Sequence, residues 1–155
     1  MTFKDFYQFA APTRVVSGRG LIPSAGFELA KEGAGRVLVV TDQVIRGTGL
    51  VENVEGGVVD GGLEVAGVFD DVPQDSDAAV VTRCAEQAAE AGADSFLAVG
   101  GGSVIDTTKG ANVVFSHGGA IGEWEGVFQL PRERDGMGRP LPLAPRVHCK
   151  NERAE

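Results

Sequence analysis

Cysteines and long apolar runs are scarce in this sequence of 155 residues. The two cysteines, Cys84 and Cys149, lie far apart and outside any C-x-x-C pair, so neither a disulfide framework nor a zinc knuckle is indicated. No apolar run approaches the roughly 18 residues of a membrane helix, and residues 1–8 carry charge where a signal peptide would be apolar. These absences predict a cytoplasmic protein without disulfides.

Basic residues are also in the minority, with 14 Lys and Arg against 22 Asp and Glu and a formal net charge of −8. This balance argues against a general affinity for nucleic acid or for an anionic membrane surface. Hydrophobic residues make up 43% and charged residues 23%, close to the globular average. A chain of this length can bury roughly two-thirds of its unfolded surface, so one domain is expected.

Glycine, in contrast, is abundant, and three consecutive glycines at 100–102 follow the apolar run 96–99 and precede a helix-like segment. Glycine lets a ligand approach the backbone closely, and the first turn of a helix offers unpaired N–H groups and a positive dipole end. This pattern predicts a phosphate site. A second interpretation stays open, because Ser103 and Asp106 have the spacing of a capping box that would only start the helix.

Strand and helix patterns alternate along the chain. Apolar runs predict buried strands over 36–42 and 95–99, and an alternating pattern predicts a strand over 63–69. Helical spacing predicts helices over 22–32, over 77–91 and from the glycines to about 115. Six glycines interrupt residues 47–62, and each interior glycine costs roughly 0.5–1 kcal/mol, so a frayed or short helix is expected there. The alternation predicts a right-handed parallel α/β sheet.

Polar residues at the ends of the predicted strands have two interpretations. Asp42 follows the first strand, at the edge where parallel sheets bind ligands, but it could equally cap the next helix. Asp75 or Ser76 is expected to cap the helix that follows the second strand. Cys84 has helical spacing with neighbouring apolar residues, which favours a small core residue.

The segment Gly-Gly-Gly-Ser-Val-Ile-Asp-Thr-Thr-Lys at 100–109 resembles the Gly-Gly-Gly-Ser-x-x-Asp-x-x-Lys signature of the iron-containing (group III) alcohol dehydrogenases, relatives of glycerol dehydrogenase and dehydroquinate synthase. Three further segments resemble that family's opening β-hairpin, its first dinucleotide-fold strand and the region after its glycine loop: 9–20, 39–42 and 118–131. The resemblance implies a Rossmann-like parallel sheet with flanking helices and an N-terminal β-hairpin, forming an NAD(P)-binding N-terminal domain over 1–145.

The resemblance also implies a set of cofactor contacts, with NAD expected over NADP. Gly101, Gly102 and Ser103 would take the pyrophosphate, and Asp106 occupies a position that the family uses for cofactor contact. Asp42 would accept hydrogen bonds from the adenine-ribose hydroxyls and would repel the extra phosphate of NADP.

No cofactor contact is assigned to Lys109 or to the segment 75–77. Lys109 lies one helical turn from Asp106, so a solvated ion pair between them is expected. The family carries an Asn-Pro-Thr contact near the loop after the second strand. The aligned place here reads Asp-Ser-Asp at 75–77, so that contact is not carried over.

The sequence shows no counterpart of the metal-binding residues of the family. In the family, Fe²⁺ or Zn²⁺ acts as a Lewis acid on the alcohol oxygen, and its ligands, an aspartate and three histidines, come from an all-helical C-terminal domain. This sequence has two histidines, His117 and His148, neither with an i, i+4 partner, so surface positions are expected and no catalytic or metal-binding residue is assigned. Residues 146–155 depart from the family pattern, and we expect a divergent tail left by a truncation or frame error, with the helical domain absent.

Three functions remain open at this point. The first is the cofactor-binding half of an NAD-dependent alcohol dehydrogenase, inactive by itself, whose full-length form would act on a small alcohol or aldehyde and could form a homodimer. The second is a stand-alone nucleotide-binding module that senses or sequesters a cofactor. The third is the same fold from a relative similar to glycerol dehydrogenase or dehydroquinate synthase.

Overall fold

The structure is a computed structural model that describes residues 16–126 and the backbone of 147–150. Its helices and strands, in chain order, are α1 (Ala25–Lys31), β1 (Arg36–Val40), α2 (Gln43–Arg46), α3 (Leu50–Asp60), β2 (Glu64–Phe69), α4 (Ala78–Glu90), β3 (Ser95–Val99), α5 (Gly102–His117) and β4 (Val147–Lys150). Two short 3₁₀ helices, Ile22–Ser24 and Ile121–Trp124, precede α1 and follow α5.

The four strands form one parallel sheet in the order β2-β1-β3-β4. The predicted parallel α/β sheet is therefore confirmed. Strands β1, β2 and β3 lie within the three ranges in which the sequence predicts strands. Every residue of β3 is buried, as expected for a strand covered on both faces. Strand β4 lies in the tail at 146–155, where the sequence predicts no strand, and its backbone pairs with β3.

Helices cover both faces of the sheet, and β1 shows how the sequence arranges this. Leu38 and Val40 belong to the apolar cluster formed with α4 and α5, whereas Val37 and Val39 belong to the cluster formed with α1 and α3. Successive strand residues point to opposite faces, so an uninterrupted apolar run supplies two cores at once. Cys84 of α4 is fully buried in the first cluster, which confirms its predicted core position.

The glycine-rich segment at 47–62 differs from its prediction. It contains α3, a continuous helix of 11 residues, rather than a frayed or short one. The reason is the close approach of α3 to α1 and to the 3₁₀ helix before it: a Cβ on Gly26 of α1 would overlap the carbonyl oxygen of Gly57, and a Cβ on Gly57 would lie 2.8 Å from the carbonyl oxygen of Ile22 in the 3₁₀ helix. The glycines lower the intrinsic helix propensity, but they permit a tight helix–helix contact whose packing stabilises the helix.

The start of α4 also differs from its prediction. Asp77 is the N-cap, and its carboxylate accepts a hydrogen bond from the Val80 N–H at 2.9 Å, so the prediction of Asp75 or Ser76 as the cap is wrong. Asp77 has the extended backbone of an N-cap, whereas Asp75 has a left-handed φ of 60° and lies in the preceding loop.

The predicted N-terminal β-hairpin at 9–20 falls for the most part outside the described residues, and Arg19 and Gly20 form a turn. The predicted end of α5 near residue 115 is two residues early, because the helix continues to His117 and ends at Gly118, which has a left-handed φ of 73°. Among the described residues, the helices are too short or too polar to cross a membrane.

Candidate functional site

The strand order defines a crevice at the carboxyl edge of the sheet. The chain leaves β1 towards β2 on one side, and β3 then pairs with β1 on the other side. Loops that diverge in this way leave a gap between the ends of the two neighbouring strands, and open parallel sheets bind ligands there. Thr41 and Asp42 follow β1, and the glycines at 100–102 follow β3. The predicted site residues Asp42 and Gly101 therefore follow neighbouring strands at the same edge of the sheet.

Thr41 joins the ends of three strands. Its N–H donates to the carbonyl oxygen of Phe69, the last residue of β2, at 2.8 Å, and its Oγ1 donates to the carbonyl oxygen of Val99, the last residue of β3, at 2.8 Å. The side chain is fully buried. The sequence prediction assigned Thr41 no role, and the available signal was a polar residue at the end of an otherwise apolar buried run.

The three consecutive glycines have different reasons to be glycine. Gly100 has a φ of 159°, and a Cβ there would lie 2.6 Å from Cγ2 of Val104, so internal packing excludes a side chain. Gly101 and Gly102 are exposed, and a Cβ on either would have no other atom within 4 Å. Their lack of side chains leaves open space directly over the backbone, where a ligand can approach the amides.

Helix α5 begins directly at this open space. The first hydrogen bond within the helix runs from the Ile105 N–H to the carbonyl oxygen of Gly101 at 3.0 Å, so the amides of residues 101–104 precede the helical ladder. The N-cap is Gly101, which has no side chain to satisfy them. The capping-box interpretation is therefore wrong, because Ser103 lies inside the first turn and Asp106 in the second.

This helix N-terminus favours an anion. Helix α5 has 16 residues and no acidic residue in its first turn. Its aligned peptide dipoles place partial positive charge at the N-terminal end, where the free amides also point. The positive end of the helix dipole, the free backbone amides and the open space are therefore found together at residues 101–103.

Asp106 and Lys109 form the predicted solvent-exposed pair. Lys109 Nζ lies 3.7 Å from Asp106 Oδ1, and both side chains are more than half exposed. Such a pair contributes about 0–1 kcal/mol to stability, so it leaves the Asp106 carboxylate accessible to other partners.

The loop after β2 is fastened to α5 by side-chain hydrogen bonds. Thr107 is buried, and its Oγ1 lies 2.8 Å from the carbonyl oxygen of Ser103 and 2.5 Å from Oγ of Ser76. Ser76 precedes α4, so this contact holds the β2–α4 loop against the first turns of α5. Sequence patterns did not indicate this pair, whose members are 31 residues apart.

Asp42 caps α2, which confirms one of its two interpretations. Its Oδ1 accepts a hydrogen bond from the Ile45 N–H at 2.8 Å, and the residue is half-buried at the end of β1. Arg46 lies at the end of the same short helix, with its guanidinium 3.9 Å from the carboxylate of Asp70 in the next loop. The cap uses one carboxylate oxygen of Asp42, and its role towards a ribose stays a prediction.

A shallow depression of about 480 Å³ lies at a different place, between the end of β2 and α4. It is lined by Phe69, Asp70, Asp71, Arg83, Glu86, Gln87 and Glu90. Four of its five charged residues are acidic, so it does not favour a phosphate, and it shares no residue with the glycine turn.

The described residues do not fit a metal centre. They contain no group of three or more His, Cys, Asp or Glu side chains that could hold an ion. His117 stacks at a tilt on Trp124, with ring centroids 5.2 Å apart, at the opposite end of α5 from the glycine turn. His148 lies in β4, of which only the backbone is described.

The sequence model of the iron-containing alcohol dehydrogenases matches residues 12–144. This chain belongs to that family. It is 34% identical over 124 residues to the NAD-dependent methanol dehydrogenase of Bacillus methanolicus, an alignment that covers 80% of this chain and 32% of that protein. It is also 31% identical over 124 residues to the choline dehydrogenase of Bacillus subtilis, covering 80% of this chain and 31% of that protein.

Solved structures of the family have the same fold. The NADH-dependent butanol dehydrogenase A of Thermotoga maritima superposes with a TM-score of 0.75 at 26% identity and covers 93% of this chain and 34% of its own. Sulfoacetaldehyde reductase of Bifidobacterium kashiwanohense, solved in complex with NAD⁺, gives 0.74 at 21% identity, covers 94% of this chain and 36% of its own, and shows the fold alone. The chain spans about a third of the length of these relatives.

Proposed function

We propose that this chain is the NAD(H)-binding half of a metal-dependent alcohol dehydrogenase. The observation that carries the proposal is the first turn of α5, whose amides lie under open space in the β1/β3 crevice. A dinucleotide pyrophosphate has the charge and size that such a turn accepts. Relatives described as dependent on NAD or NADH support the choice of ligand.

In this arrangement, Gly101, Gly102 and Ser103 hold the pyrophosphate through their backbone amides. The exposed surface of both glycines provides the room that the phosphate oxygens need, since a side chain there would block the approach. Asp106, exposed in the second turn, lies close enough in sequence to contact the same cofactor. A bound nicotinamide would supply the hydride chemistry that interconverts an alcohol and an aldehyde, with one proton released or taken up.

In this proposal, the carboxylate of Asp42 binds the adenine ribose. It follows β1 at the crevice, and its capping bond occupies Oδ1, so Oδ2 is left to accept from a ribose hydroxyl. A carboxylate at this place repels the 2′-phosphate of NADP, which supports NAD as the preferred cofactor.

The remaining parts of the activity are proposed from the relatives, of whose length the chain spans about a third. A small alcohol or aldehyde is the proposed substrate, in line with the methanol and butanol dehydrogenases among the similar proteins. Fe²⁺ or Zn²⁺ would be held by residues other than the described ones, and the homodimer and the cytoplasmic location stay predictions from the sequence.

Titration with NADH tests the proposal. We expect the 155-residue chain to bind NADH weakly by calorimetry or fluorescence, since a single domain provides the contacts, and Gly102→Val to abolish binding by filling the space over the amides. Gly56→Val is the matched control, because Gly56 is also exposed in a helix and a Cβ there meets no other atom within 4 Å. Equal NADH binding by Gly102→Val and the wild-type chain would contradict the proposal.

A further inference from the structure

We propose that Thr41 is a positioning residue that fixes the orientation of the glycine turn through its side-chain hydroxyl. The inference rests on the proposed NAD(H) site and names a residue that acts on it without touching the ligand. Thr41 is fully buried, and its Oγ1 donates to the carbonyl oxygen of Val99 at 2.8 Å. Val99 is the last residue of β3, and the turn begins with the next residue.

The geometry of the peptide bond explains why this hydrogen bond matters. The C=O of Val99 and the N–H of Gly100 share one rigid plane, so holding the carbonyl oxygen also fixes the plane from which the turn starts. Gly100 has no side chain to restrict its torsion angles, and the space in which a Cβ of Gly101 or Gly102 would lie is open. A rotation of that first plane would therefore redirect the amides that face the proposed pyrophosphate.

The second hydrogen bond of Thr41 gives the hydroxyl a fixed support. Its N–H donates to the carbonyl oxygen of Phe69 at 2.8 Å, so the backbone of Thr41 is itself anchored to the end of β2. The site is thus built on two strand ends rather than on the loop alone, and a binding group supported in this way loses little freedom when the ligand arrives.

Thr108 provides a matched comparison within the same protein. It is also fully buried, and its Oγ1 donates to a backbone carbonyl, that of Val104, at 2.6 Å. That carbonyl lies inside α5, where the helix already determines its direction. Replacing either threonine by valine keeps the shape and removes one buried hydrogen bond, so both variants should lose stability. Only Thr41→Val should also disturb the glycine turn.

The test compares Thr41→Val, Thr41→Ser and Thr108→Val in thermal unfolding and in NADH titration. We expect Thr41→Val to bind NADH about tenfold more weakly, because the amides no longer converge on the ligand. Thr41→Ser retains the hydroxyl and should restore wild-type affinity, and Thr108→Val should bind like wild type despite a lower melting temperature. Wild-type affinity in Thr41→Val, or an equal loss in Thr108→Val, would overturn the inference.

Amide resonances of the nucleotide-free protein separate this inference from the proposed function. In a ¹⁵N spectrum we expect the Gly101 and Gly102 resonances to shift or broaden in Thr41→Val and to stay in place in Thr108→Val. Unchanged glycine resonances in Thr41→Val would overturn the positioning role whatever the NADH result. If these resonances shift as expected but the wild-type chain binds no NADH, the proposed function fails and the structural effect of Thr41 on the turn stands.

Discussion

Oδ1 of Asp42 accepts a hydrogen bond from the Ile45 N–H at 2.8 Å, and this contact orients the carboxylate at the end of β1. The sequence left two interpretations of Asp42 open, a helix cap and a ribose contact. The contact shows that the two are compatible, because the cap uses one oxygen. A substitution that tests the ribose contact must therefore preserve the cap.

Asp42→Asn meets that requirement. The asparagine oxygen still accepts from the Ile45 N–H, so the free energy of unfolding should change by less than about 1 kcal/mol. The negative charge is lost, so the preference for NADH over NADPH should narrow by about tenfold. Parallel titrations of wild type and variant with both cofactors measure the change. Tighter binding of NADPH than NADH by the wild-type chain would show that Asp42 is only a cap.

The α1–α3 contact predicts opposite effects for two glycine substitutions. Gly26→Ala places a Cβ against the carbonyl oxygen of Gly57 and should lower the free energy of unfolding by about 1–3 kcal/mol or more. Gly56→Ala, in α3 where a Cβ meets no other atom within 4 Å, should raise it by about 0.5–1 kcal/mol. Urea denaturation measures both. An unchanged midpoint for Gly26→Ala would contradict the close packing of the two helices.

Burial of Cys84 predicts both its reactivity and a dependence of stability on pH. Desolvation raises the pKa of its thiol from 9.0 to about 12, so the reactive thiolate is suppressed in the folded state. Between these pH values the unfolded thiol has lost its proton and the folded thiol has kept it. Cys84 therefore contributes stability below pH 9 that is lost as the pH rises towards 12.

The measurement for Cys84 uses a Cys149→Ser background, in which Cys84 is the remaining thiol. Iodoacetamide at pH 8 should modify it only as fast as the protein unfolds. Adding Cys84→Ala should remove part of the decline in stability between pH 9 and pH 11. Rapid modification of the folded protein would show that the thiol is accessible, and an identical decline with and without Cys84 would show that folding does not raise its pKa.

Local patterns predicted β1, β2 and β3 because each lies in a mostly apolar run, which can be recognised from neighbouring residues alone, whereas β4 has no such run and was not predicted. Two of their failures, at α3 and at Thr41, come from contacts between residues distant in sequence. The glycines of α3 lower helix propensity, and only the approach of Gly26 explains why the helix persists. Ser103 and Asp106 had capping-box spacing, but the helix starts at Gly102 and includes both. Thr41 was missed because its side chain bonds a residue 58 positions away.

The 155-residue chain alone should not oxidise alcohols. Lewis-acid activation needs several protein ligands that converge on one ion, and the described residues contain no such group. No NADH should form from primary alcohols, secondary alcohols or glycerol after addition of Fe²⁺ or Zn²⁺. Turnover that follows the purified chain and disappears on chelation would contradict this, and His117→Ala and His148→Ala would then identify the missing ligand.

A ¹⁵N chemical-shift titration with NADH shows whether the first turn of α5 binds the pyrophosphate of NAD(H). Adding NADH should shift the amide resonances of Gly101, Gly102 and Ser103 first and most strongly. The amide of Ile45, which donates its hydrogen bond to Asp42, should shift next. ADP, which carries the pyrophosphate without nicotinamide, should move the same amides. Shifts confined to the depression lined by Arg83 and Glu86, with the glycine amides unmoved at saturation, would contradict pyrophosphate binding at the first turn of α5.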